Sequence, residues 1–149
     1  MYASIFRTAQ QLPLLNMFTR ILEMTNAASV STPSNRFGEI AHSYATVRLL
    51  EECTTACEMM AEELDAEDPA NLAMQDLLSD CIASCGAFLG ATVRESPYAP
   101  RYALLCGEIC AETASACSRR LELASRCCEV LCRACANLVD EGFAAALAN

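Results

Sequence analysis

The chain has no lysine and no tryptophan, and it has a single histidine. All ten of its basic residues are arginine, set against nineteen acidic ones, for a net charge of −9 at pH 7. An acidic chain of this kind has no basic face with which to neutralise phosphates, which excludes nucleic acid as a partner. With one histidine the chain cannot supply the two Glu-x-x-His motifs that a ferritin-like di-iron bundle needs, so that bundle is excluded as well. No Gly-rich phosphate loop and no catalytic constellation is present, and the expectation is a protein that is not an enzyme. No run approaches the roughly 18 uninterrupted apolar residues of a membrane span, so no membrane partner is expected. The opening MYASIFRTAQQLPLLN lacks a basic leader, a twin arginine and an apolar run before a small-residue cleavage site. A cytoplasmic location is therefore expected, in a reducing compartment.

The composition present favours helix. Hydrophobic residues make up 54% and aromatics 6%, and alanine, leucine, glutamate and arginine lose little freedom in a helix. At 149 residues the chain is one domain long, enough to bury a core. Residues 1–34 divide into an amphipathic helical segment, interrupted at Pro13, and the polar linker NAASVSTPSN. Residues 35–149 divide into four helices. The first is expected over about 35–64. Asp68 as N-cap with Pro69 at the first helical position starts the second, over about 69–94. Ser96-Pro97 repeats that signal and starts a third, over about 97–119. A turn near SRRLEL (118–123) separates the fourth, which runs to about 144. Four helices of similar length on short loops predict an all-α fold, an antiparallel up-down four-helix bundle with an additional N-terminal helical segment. Gly86, Gly90 and Gly107 fall inside helices, where close approach of a neighbouring helix or simple tolerance accounts for them.

The quantity that stands out is eleven cysteines, an odd number that cannot all pair within one chain. A helix turns about 100° per residue, so spacings of 4, 7 and 11 return to one face. Cys53 and Cys57, Cys81 and Cys85, Cys106, Cys110 and Cys117, and Cys128, Cys132 and Cys135 each form such a stripe, one per helix. The stripes coincide with a/d core positions. Only Cys127 is off its stripe, by about 100°. Counting outward from each turn sets Cys85 near Cys106 and Cys135. It sets Cys53, Cys81, Cys110 and Cys132 at one level, and Cys57, Cys117 and Cys128 nearer the 65–69 loop. An i, i+4 thiol pair suits a soft ion of low coordination number. A single tetrahedral zinc or iron–sulfur site would leave most of the column unused. The spacing thus points to Cu(I), several per chain, with Zn as the main competitor.

The segments DCIASC (80–85), ESPY (95–98), LCGEICAETASAC (105–117) and CCEVLCRAC (127–135) resemble the four-helix-bundle copper storage proteins, a bacterial family of C-x-x-x-C helices. Family helices often carry cysteine at offsets 0, 4, 7 and 11; here Thr113 and Val139 stand where further cysteines would fall. The resemblance implies a cytosolic store or buffer that detoxifies Cu(I) on paired thiolates, in a homo-oligomer, usually a tetramer. It also implies histidine at the mouth of the bundle. His42, eleven residues before Cys53, shares that helix face and is a further possible ligand, against an ordinary part-exposed histidine. Met60 and Met74 extend the stripes at the opposite end, as thioether ligands or as core. Cys127 is open between a spare thiol, an intersubunit contact and an extra ligand.

Two other readings stand beside copper. One is a thiol-redox protein, which needs an exposed thiol of low pKa; Arg126 and Arg133, nearest the stripes, are expected to point outward. The other is a structural helical interaction module with cysteine as core packing. Glu51, Glu52, Glu62 and Glu63 are expected mostly on solvated faces.

Overall fold

The computed structural model describes residues 44–147, and for 145–147 the backbone alone. The expected N-terminal helical segment, the start of the first helix and His42 lie outside the described residues. Four helices follow in order: α1 Tyr44–Glu63, α2 Pro69–Val93, α3 Ala99–Cys117 and α4 Leu123–Leu147. No strand occurs among the described residues. Each helix rests on its neighbours in sequence, and α1 also rests on α4, which closes a ring of four. The protein is an all-α bundle.

Local chemistry sets the helix ends. At α2 the Asp68 carboxylate accepts from the Ala70 N–H at 2.9 Å, with Pro69 in the first turn where its missing donor costs nothing. The other end of α2 is a Schellman stop. Ser96 N–H reaches Ala91 O and Glu95 N–H reaches Thr92 O, both at 2.9 Å. Glu95 holds the left-handed residue of that motif, at φ 52°, a position glycine usually takes. This stop moves the start of α3 from the expected 97 to Ala99. Ser96 and Pro97 belong to the turn, where Ser96 Oγ accepts from Tyr98 N–H at 3.3 Å and the cap residue Tyr98 makes no side-chain bond. The α3–α4 turn falls at 118–122, held by Arg120 N–H to Cys117 O at 3.0 Å and by an Arg120–Glu122 ion pair. Past the expected 144, α4 continues to Leu147.

The interior is built from small side chains. Ala56, Ala91, Ala103, Ala114 and Ala124 line it together with the cysteines, and Phe88 is the only aromatic ring buried among the described residues. Small residues let helices approach closely, and Gly107 shows where. A Cβ there would stand 3.0 Å from Val139 Cγ1 of α4. Gly86 is different: it is exposed with nothing near its missing Cβ, so tolerance and not packing explains it. Glu52 also departs from expectation. It is buried rather than solvated, with its carboxylate 2.7 Å from Arg48, one turn earlier. Glu51, Glu62 and Glu63 are exposed.

By length and composition α2 could cross a bilayer. It carries Asp76 and Asp80 on exposed positions, however, and turns Met74, Leu78, Cys81, Cys85 and Phe88 into the bundle. That is the pattern of a core helix.

Candidate metal centre

All eleven cysteines are free, and all are buried to within 1% of complete exclusion from solvent. Eight of their sulfurs meet along the bundle interior. Between α1 and α4, Cys53 lies 3.5 Å from Cys132, Cys57 3.6 Å from Cys128 and Cys57 3.8 Å from Cys132. Between α2 and α3, Cys81 lies 3.7 Å from Cys110, with Cys85 3.6 Å from Cys106 and 3.9 Å from Cys110. In both pairs the numbers climb on one helix as they fall on the other, so α1 opposes α4 and α2 opposes α3. Across the diagonal, Cys81 of α2 reaches Cys132 of α4 at 3.8 Å. Within single helices Cys106 and Cys110 are 3.9 Å apart, and Cys128 and Cys132 3.8 Å.

These distances join Cys53, Cys57, Cys81, Cys85, Cys106, Cys110, Cys128 and Cys132 into one continuous network. Cys132 is its junction. Cys132 connects the Cys57–Cys128 end, at 3.8 Å, to Cys81 and so to the Cys81–Cys110 end. Cys135 borders the network beside Cys110, Cys53 and Cys85, and its thiol points weakly at Leu49 O, 3.9 Å away. Cys117 lies beside Cys128, beyond the contact network. Two overlapping groups have four sulfurs all within 4.8 Å of one another: Cys53, Cys57, Cys81 and Cys132, and Cys53, Cys81, Cys85 and Cys110.

Protons are unevenly held along this network. Hydrogen bonds to Cys110 and then Cys132 raise Cys53 well above the ordinary thiol range, with burial adding to the shift. Cys132 is raised as well, by Cys110 first and then Cys128, and Cys117 by its bond to Cys128 and by burial. Cys57 and Cys81 move down, chiefly through their hydrogen bonds with Cys128 and Cys110 respectively. At Cys110 the bond to Cys106 pulls upward, but Cys132, Cys135 and Cys53 outweigh it and lower the thiol below its ordinary range. No arginine among the described residues is buried; Arg126 is exposed, and Arg133 turns outward to Glu129 at 2.9 Å. Full deprotonation would therefore need cations supplied from outside, and the soft thiolate donor set suits soft d¹⁰ ions.

The remaining sequence candidates separate clearly. Met60 is buried, and its Sδ accepts from Ser125 Oγ at 3.1 Å. Met74 is buried in the core near the start of α2. Cys127, the outlier of the helical count, is as buried as the rest. Burial lifts its thiol to about 11, with the charges of Cys128 and Glu63 adding to the effect. The reason is that α4 faces two neighbours and so buries a sector wider than one stripe. Ala124, Cys127 and Leu131, spaced 3 and 4 apart, mark that second row. Ser125 is the residue the sequence reading passed over: a fully buried hydroxyl, legible only in that the buried residues of α4 leave it no exposed side. Thr113 and Val139 are buried at their positions on the stripes, and Thr113 Oγ1 donates to Ile109 O at 2.8 Å.

The family model described as "Copper storage protein" matches residues 38–142, well over half of the chain. The chain belongs to the copper storage protein family. Neither a curated protein nor a solved structure matches it. Within this family the four buried thiol stripes take on a direct meaning, since they place cysteine groups able to hold a metal ion in the interior of a cysteine-rich four-helix bundle.

Proposed function

We propose that this protein stores or buffers Cu(I) in the cytosol, keeping several ions per chain on thiolates inside an up-down bundle that assembles as a homo-oligomer, a tetramer by family. The carrying observation is the continuous sulfur network with spacings of 3.5–3.9 Å. Ligands would be Cys53, Cys57, Cys81, Cys85, Cys106, Cys110, Cys117, Cys128, Cys132 and Cys135. Cys127, Met60, Met74 and His42 are further candidates.

Charge balance supports a monovalent cargo. Each Cu(I) that replaces a thiol proton leaves the buried site neutral, so loading can rise toward one ion per thiol without accumulating charge in an interior where none of the described arginines is buried. The proton released at each step makes binding weaker in acid. Burial of the thiols argues against a redox protein, whose reactive cysteine must meet its substrate at the surface. It also keeps bound cuprous ion away from oxidants.

The test is anaerobic Cu(I) titration against a strong chelator, read by native mass spectrometry. Several ions retained per chain are expected. Saturation at none or one would refute the reading.

A further inference from the structure

From the two overlapping four-sulfur groups we infer a second class of ligand: a pair of four-coordinate divalent d¹⁰ ions, Zn²⁺ or Cd²⁺, bridged by the sulfurs of Cys53 and Cys81. The inference does not rest on the copper reading. It rests on which sulfurs the two groups share. One group is Cys53, Cys57, Cys81 and Cys132, the other Cys53, Cys81, Cys85 and Cys110, and both contain Cys53 and Cys81. Two tetrahedra that share two corners share an edge, and six sulfurs then complete the coordination of two ions.

The spacings fit a tetrahedral ion. Zinc–thiolate bonds of about 2.3 Å set the edge of a four-sulfur tetrahedron at about 3.8 Å. In the first group Cys132 lies 3.5 Å from Cys53, 3.8 Å from Cys57 and 3.8 Å from Cys81. In the second, Cys110 lies 3.7 Å from Cys81 and 3.9 Å from Cys85. The other edges of both groups stay within 4.8 Å, a distance that side-chain rotation can close. All four helices contribute, so the polyhedra form where the bundle axis runs and need no loop to be rebuilt.

Charge explains why the sites are fused. An isolated divalent ion on four thiolates carries two surplus negative charges, and none of the arginines among the described residues is buried to offset them. Sharing Cys53 and Cys81 leaves two surplus charges for the pair, half as many per ion. Binding displaces six protons from the six thiols and forms eight metal–sulfur bonds. No electron is transferred.

The full-length apo-protein, titrated anaerobically with Cd²⁺, tests this. Sulfur-to-cadmium absorbance should rise linearly and break at two ions per chain, with native mass spectrometry giving the same number. Cadmium NMR should show two resonances, each split by the other through the shared sulfurs. Cys53→Ser and Cys81→Ser should each weaken both ions, whereas Cys57→Ser and Cys85→Ser should each weaken one. A break at one ion or at three or more, two resonances without mutual splitting, or a Cys53→Ser protein that loses only one ion would overturn the inference. The splitting is read on the unsubstituted protein and so does not depend on how a variant folds. A chain that retains several Cu(I) ions but fails these tests leaves the copper reading standing.

Discussion

Replacing Thr113 by cysteine should add one stored Cu(I) per chain. Thr113 is fully buried on α3, three residues after Cys110 and four before Cys117. Sulfurs four residues apart on one helix of this bundle already approach to 3.9 Å at Cys106–Cys110 and 3.8 Å at Cys128–Cys132. A sulfur at position 113 therefore has Cys117 within the same reach, and links it to a network it now borders only through Cys128. The cost to the apo-protein is small. The Thr113 hydroxyl bond to Ile109 O is worth about 1 kcal/mol, and the methyl group adds about 0.8 kcal/mol. The loss is therefore held to about 2 kcal/mol, because the thiol keeps much of the volume and is itself easily buried. Native mass spectrometry of Thr113→Cys at saturating Cu(I), with a chelator present, should give one ion more than the parent. The control is Ser115→Cys, exposed on the same helix, whose thiol should hold no copper against the chelator. Equal gains in both variants, or no gain in a folded Thr113→Cys protein, would refute the argument that stripe position and burial decide capacity.

Three further substitutions follow from particular positions. Gly107→Ala places a Cβ against the stiff, β-branched Val139 at 3.0 Å; overpacking of about 1–3 kcal/mol exceeds the roughly 1 kcal/mol of helix propensity gained, so urea denaturation should show a loss. The exposed Gly86→Ala has no such neighbour and should gain about 0.5–1 kcal/mol. The pH dependence of the apo-protein is set in part by Cys127, whose folded pKa is raised from 9.0 to about 11. Its contribution is whole below pH 9 and is lost as pH rises toward 11, because the native state there holds a proton that the unfolded chain has released. Denaturation midpoints should fall across that window, less steeply in Cys127→Ala; an equal slope in both proteins would reject the assignment.

How far the sequence carries depends on the kind of feature. The Asp68–Pro69 start of α2 was legible because cap and first-turn proline act locally. The similar Ser96–Pro97 misled by two residues, since the preceding helix stops with Glu95 in a left-handed conformation that nothing in its side chain advertises. The thiol stripes were legible from spacing alone, because period fixes face. Cys127 was not, since one stripe per helix underestimates what a helix buries between two neighbours. Glu52 sits on a buried position because Arg48, one turn away, pairs with it, a compensation that burial patterns alone do not reveal. The identity of the sulfur groups was beyond reach for a geometric reason. Counting from turns places a residue only to within one turn, about 5.4 Å, and that is coarser than the 4.8 Å that defines a shared site.

The same small side chains that let the sulfurs meet also shape the energetics of the bundle. A core in which cysteine and alanine predominate, with one buried ring among the described residues, removes less apolar surface per residue than one of leucine and phenylalanine, so the apo-bundle gains less from burial. Metal binding compensates directly, because the network spans helices. Cys53–Cys132 and Cys57–Cys128 join α1 to α4, Cys81–Cys110 and Cys85–Cys106 join α2 to α3, and Cys81–Cys132 joins the two pairs across the diagonal. An ion held by any of these pairs binds the folded chain in preference to the unfolded one. At a thousandfold excess over its dissociation constant it adds about 4.1 kcal/mol. Under the proposed storage function, storage and stability would be one equilibrium, and filling the column would rigidify the bundle. Emptying it would leave the bundle nearer to opening, and an ion held among these buried sulfurs would need such opening in order to leave.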